Sequence, residues 1–130
     1  MSERFQETTL LTTLGIEMVE VGKERVVATM PVGPKVHQPF GILHGGASVA
    51  LAETVASAGA WMCVDQAKER VVGLEINANH LRGKREGTLT AVATPVHVGR
   101  RTQVWEVVIT DEAKKAVCIS RCTLAVVAAE

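Results

Sequence analysis

The chain has 130 residues, 47% of them apolar, and its 14 basic and 14 acidic side chains cancel. That length carries one domain around one core, read here as 1–130, and the apolar share excludes a disordered chain. The balanced charge gives no general pull toward nucleic acid or an anionic membrane, so neither is expected as a partner. Three cysteines, Cys63, Cys118 and Cys122, lack metal-ligand spacing. They read as reduced, buried thiols, and no metal is expected. No basic start followed by an apolar run opens the sequence, so a cytoplasmic location is the expectation.

In chain order, Phe5, Leu10, Leu11 and Leu14 followed by Gly15 suit a short helix within Ser2–Leu14 that stops at the glycine. Ile16–Val21 and Arg25–Val32 read as two strands of a hairpin turning at Gly22-Lys23. A loop and then one long helix, Ala47–Val64, follow. After it the pattern is strands only: Val71–Leu81, Leu89–Val98, Thr102–Thr110 and Ala116–Val127. Pro95 predicts a bulge or an edge in the second of these. Strands joined by short turns pair antiparallel. The expected class is α+β, one antiparallel sheet curled around one helix.

That helix organises the chain. Ala47, Ala50, Ala52, Ala56, Ala58, Gly59 and Ala60 make it small and apolar all round, which predicts burial on every face. It is too interrupted for a membrane span. It carries one acid, Glu53, among Leu51, Ala52, Val55 and Ala56. A carboxylate there is costly unless it is paired or used.

The segment Gln38…His44-Gly45-Gly46…Leu51-Ala52-Glu53…Ser57, with the element order around it, resembles the hotdog fold from about Gly15 onward. Within that fold it is similar to the acyl-CoA thioesterase branch of the Arthrobacter-type 4-hydroxybenzoyl-CoA and 1,4-dihydroxy-2-naphthoyl-CoA thioesterases. Glu75-Ile76-Asn77-Ala78-Asn79-His80-Leu81-Arg82 and His97-Val98-Gly99-Arg100 resemble the same branch. Gly83 stands after Arg82 where proline is expected. The resemblance implies hydrolysis of a CoA thioester, with coenzyme A as part of the substrate and no separate cofactor. It also implies a dimer with a continuous sheet.

The residues permit that chemistry. Backbone N–H groups of Gly45 and Gly46, at a helix start, can hold a developing oxyanion. The Gln38 amide can add a second donor. Glu53 can attack the carbonyl or deprotonate water, and Ser57, one turn on, can orient either. His44 is expected to hold the loop beside the oxyanion site rather than act as a base. The glycines also suit a plain loop-to-helix junction, and Ser57 a back-bonded helix serine. Gly45 and Glu53 are eight residues apart, about 12 Å along a helix. One thioester carbon cannot lie against both, so a shared site needs two chains. The expected assembly is a homodimer at minimum and a homotetramer beyond it, with Val71–Leu81 as the seam.

Arginine forks suit the phosphates of coenzyme A. Arg82, Arg100 and Arg101 are the candidates, with His80 and Gly99 beside them. Arg82, Lys84 and Arg85 also suit solvated turn charges, the better reading for Lys84. Two alternatives stay open. One is an acyl-thioester dehydratase or hydratase pairing His44 with Glu53; the other is a non-catalytic acyl-CoA-binding module. The acyl group, aryl or medium-chain, is not specified by these residues.

Overall fold

The computed structural model describes residues 8–130; the helical expectation at Ser2 and Phe5 lies outside the described residues. The leucine repeat folds as α1 (Leu10–Leu14), and Gly15 ends it in the left-handed region at φ 76°. The hairpin follows as β1 (Glu17–Val21) and β2 (Val26–Val32). The long helix is α2 (Gly45–Met62), so both glycines lie inside its first turn. Then come β3 (Glu69–His80), β4 (Gly87–Val98), β5 (Thr102–Thr110) and β6 (Ala116–Ala128). Register shifts in β4 between Pro95 and His97, as the proline predicts.

The six strands form one sheet in the order β1-β2-β4-β5-β6-β3, with every neighbouring pair antiparallel. Strict alternation in β5 buries Gln103, Trp105, Val107 and Ile109 on the concave face, as a period of two requires. Leu89, Ala91 and Ala93 do the same from β4. The sheet curls around α2 in the hotdog arrangement.

The expected strand pairing is corrected first. Although β3 and β4 are consecutive, they do not pair; β3 pairs with β6 at the far edge and β4 lies between β2 and β5. The chain between them is a crossover past the N-terminal end of α2. The Leu43 N–H donates to the Lys84 carbonyl (2.7 Å), and His37 Nε2 lies 2.8 Å from the Arg85 carbonyl oxygen. Lys84 is therefore no solvated turn charge. Its ammonium stands 2.7 Å from Glu112 Oε1, and that contact is the main cause holding the Glu112 carboxyl down at about 2.

The second correction concerns α2, which is not buried on every face within one chain. Leu51, Ala52, Val55, Ala56, Gly59 and Ala60 are buried, whereas Glu53, Ser57 and Trp61 are only half-buried. The sheet covers one side of the helix and leaves the other open. Cys118 and Cys122 are buried free thiols, but Cys63 is a half-buried residue capping the end of α2.

A buried polar chain fixes the C-terminal half of α2 to β5. The Gln103 amide donates to the Ala60 carbonyl (3.2 Å), and the Trp105 indole N–H donates to Gln103 Oε1 (2.8 Å). Both side chains are fully buried, so each bond replaces a desolvated group that would otherwise be unpaired. The Trp105 ring lies directly on Gly59, where a Cβ would fall 2.5 Å from it. Glycine in a helix interior is unfavourable, and here this close approach requires it. Gly59→Val should destabilise the fold by about 2–3 kcal/mol through overpacking, read by urea denaturation. Ala58→Val, one residue along on the open side, should change stability by less than about 0.5 kcal/mol.

Candidate active site

The loop before α2 is stitched to itself. The Gln38 N–H donates to the Ile42 carbonyl (2.8 Å), the Gly41 N–H to the Gln38 carbonyl (2.9 Å), and Gly41 turns at φ 78°. Gln38 Oε1 accepts the Phe40 N–H. That contact orients the amide, leaving the Gln38 NH₂ as a free donor. His44 caps the helix, its Nδ1 accepting the Gly46 N–H at 2.7 Å, and the Ala47 N–H goes to the His44 carbonyl. The Gly45 N–H is left without a partner among the described residues, at the positive end of an 18-residue helix. His44 is thus a cap with its Nδ1 already engaged. Gln38, Gly45, His80 and Arg82 line one cavity of about 360 Å³. The His80 ring lies against Gly45, and a Cβ there would fall 2.9 Å from its Nε2.

Glu53 and Ser57 are not in that cavity. They line a second, larger groove of about 1240 Å³ on the open side of α2, with Ala50, Thr54, Ala58 and Trp61. Of the hydroxyls there, Thr54 is the back-bonded one, its Oγ1 donating to the Ala50 carbonyl at 2.7 Å. The Ser57 hydroxyl makes no such bond among the described residues and is free to meet a ligand. The Glu53 carboxylate rests on Gly73 of β3, where a Cβ would overlap its Oε2. Gly73 stands at a register shift in β3, before Glu75. A bulge of this kind re-aims a strand and is frequent near active sites.

The basic candidates divide as well. His80 and Arg82 sit beside Gly45. The turn at Gly99, Arg100 and Arg101 sits at the opposite end of the sheet. His80 pairs with Cys118, which pairs with Ile109, whereas the Arg101 turn leads into Thr102. Ile109 and Thr102 are seven residues apart on one strand (109 − 102), roughly 23 Å at 3.3 Å per residue. Arg100 and Arg101 are exposed, and the His97 imidazole folds over Gly99.

The family model described as "Thioesterase superfamily" matches residues 40–118. The chain belongs to the thioesterase superfamily. It is 57% identical over 114 residues to a protein of Listeria monocytogenes named 1,4-dihydroxy-2-naphthoyl-CoA hydrolase, covering 88% of this chain and 92% of that one. It is 48% identical over 113 residues to the Escherichia coli K12 protein of the same name, covering 87% and 82%. The solved structure of a mutant thioesterase from Pseudomonas aeruginosa superposes with a TM-score of 0.93 at 46% identity, covering 98% of this chain and 91% of that one.

For a thioesterase-superfamily chain, Gly73 is the residue that pattern reading passed over. The signal was present: a lone glycine in a strand marks a bulge or a close approach. Gly73 φ lies outside the left-handed region, so alanine is tolerated by the backbone and only the flexible carboxylate has to move. Gly73→Ala should therefore keep the melting temperature within about 2 °C. By displacing Glu53 it should lower kcat on a CoA thioester by tenfold or more. Thermal melts beside steady-state kinetics check both halves of this expectation.

Proposed function

We propose that this chain hydrolyses CoA thioesters, aryl-CoA among them, at sites built from two copies of itself. The observation that carries the reading is the separation of the site's halves. The donors, Gly45 N–H and the Gln38 amide, line one cavity; the acid and its neighbour, Glu53 and Ser57, line another. Two α2 helices set side by side and antiparallel bring one chain's donors to the other chain's acid. The long edge strand β3, paired on one side only, suits the seam. Its Val72 and Leu74 are exposed, and an unpaired apolar edge is a template for another strand. Two such dimers would make the homotetramer expected beyond the dimer.

In this arrangement the thioester carbonyl accepts from Gly45 N–H and Gln38 of one chain. Glu53 of the other chain either attacks the carbonyl carbon or takes a proton from the attacking water, with Ser57 orienting the water. The tetrahedral oxyanion stays on the two donors until it collapses and the CoA thiolate leaves, giving the free acid directly by the water route, or an anhydride on Glu53 that water then cleaves to the acid and the free carboxylate. Water is the only other reactant needed. His80 and Arg82 lie where the pantetheine arm leaves the site. The turn at Gly99, Arg100 and Arg101, at the far end of the sheet, meets the same nucleotide only if a different chain supplies it. The names of the 1,4-dihydroxy-2-naphthoyl-CoA hydrolase relatives support an aryl acyl group. The engagement of His44 Nδ1 as a cap argues against the hydratase alternative.

Assays of free thiol from a panel of CoA thioesters test the reading. Glu53→Ala should lose about 10²-fold or more in kcat while still binding the substrate. Near-wild-type turnover by Glu53→Ala would sink the mechanism.

A further inference from the structure

Both oxyanion donors hang on one short loop, and the crossover between β3 and β4 holds that loop from the side. The loop is closed at its neck. The His44 N–H donates to the Val36 carbonyl (2.8 Å), and His37 and Leu43 face each other as an isolated bridge. Gln38 follows one side of the neck and Gly45 the other. Each side is also bonded to the crossover. The Leu43 N–H donates to the Lys84 carbonyl (2.7 Å), and the His37 Nε2–H to the Arg85 carbonyl (2.8 Å). Two adjacent crossover residues thus support both donors.

The crossover has no regular structure from Leu81 to Glu86, and it contains Gly83, the residue type with the most backbone freedom. Its anchor is the Lys84 side chain, 20% exposed, whose Nζ lies 2.7 Å from Glu112 Oε1 in the turn between β5 and β6. An exposed ion pair usually holds little, because two mobile side chains must first be ordered. Here Glu112 has other supports. Its Oε2 accepts the Thr88 N–H (3.2 Å). Its carboxylate also lies on Gly87, which turns at φ 106° and where a Cβ would overlap Oε2.

We infer that Lys84 and Glu112 are positioning residues for the two oxyanion donors. The ion pair holds the crossover, and the crossover carbonyls hold the loop that aims Gln38 and Gly45. The inference rests on the thioesterase reading above, which makes those two groups donors. Neither Lys84 nor Glu112 lines the donor cavity, so both act through other residues. Misplacing a reacting group by about 1 Å costs about 10²-fold in rate, so a shift of about 0.25–0.5 Å costs roughly three- to tenfold.

Steady-state kinetics on benzoyl-CoA and on the benzoyl thioester of N-acetylcysteamine test this, beside amide hydrogen exchange. Lys84→Met should lower kcat about three- to tenfold on both esters and leave each KM within about twofold, because the defect lies at the carbonyl. Lys84→Arg keeps a cation and should restore most of the loss. Glu112→Gln keeps an acceptor for Thr88 and removes only the charge. Added to Lys84→Met it should cost nothing further, as expected of partners in one contact. Exchange of the Leu43 amide should quicken about tenfold in Lys84→Met relative to that of Leu51 in the core of α2. General destabilisation quickens Leu51 at least as much and does not imitate this. Unchanged kcat, or a defect confined to KM for the CoA ester, overturns the positioning role and leaves the thioesterase reading intact. If wild type hydrolyses neither ester, the thioesterase reading fails instead. The Leu43-to-Leu51 ratio then decides whether the ion pair holds the loop, and an unchanged ratio overturns it.

Discussion

A single rigid helix holds the free amide of Gly45 and the carboxylate of Glu53 about 12 Å apart, and the rest of the structure depends on that spacing. An α-helix neither compresses nor slides, so no loop motion within one chain brings the two groups to one carbon. The fold instead fixes the helix firmly and leaves its reactive side open. The Gln103–Trp105 chain and the seat of the indole on Gly59 lock α2 against the concave sheet. The side turned away from the sheet carries Glu53, Ser57 and Trp61 in a groove. On the proposed reading, a second copy and the substrate cover that side.

The two cavities differ in chemistry as well as in place. One gathers hydrogen-bond donors and a cation: Gly45, Gln38, His80 and Arg82. The other is apolar around one acid, with an aromatic ring and an arginine at its end. On the proposed reading the thioester sits at the junction between one chain's donor cavity and its partner's groove. Small residues make this possible at three points. Gly59 lets the helix reach the sheet, Gly45 lets the His80 ring lie against the oxyanion donor, and Gly73 leaves space for the carboxylate.

Much of this was legible in the sequence because short-range rules govern it. The alternation from Thr102 to Thr110 defines β5 residue for residue, and Gly15 ends α1 as a left-handed cap. Glu53 stood out as a lone acid in an apolar helix, Gln38 and Ser57 through the family resemblance, and the helix rise alone separated donors from acid. What stayed hidden depends on long-range placement. The pairing of β3 with β6 rather than β4 follows from how far the sheet curls, which no local pattern records. The open side of α2 escaped because a helix apolar all round reads the same whether its own chain or a second copy covers it. Lys84 read as a solvated charge because its partner Glu112 is 28 residues away. The split of the arginines between two ends of the sheet was likewise invisible in a list of basic residues.

Subunit complementation tests the shared site most directly. Gln38→Ala removes a donor from one half-site and Glu53→Ala removes the acid from the other, so each homodimer has two impaired sites. Equal mixing makes about half of all dimers mixed, and each mixed dimer has one intact site and one doubly impaired site. About a quarter of wild-type thioesterase activity should return after co-refolding, with a tagged pull-down confirming that subunits have exchanged. Confirmed exchange with no activity regained would contradict the account and place catalysis within a single chain.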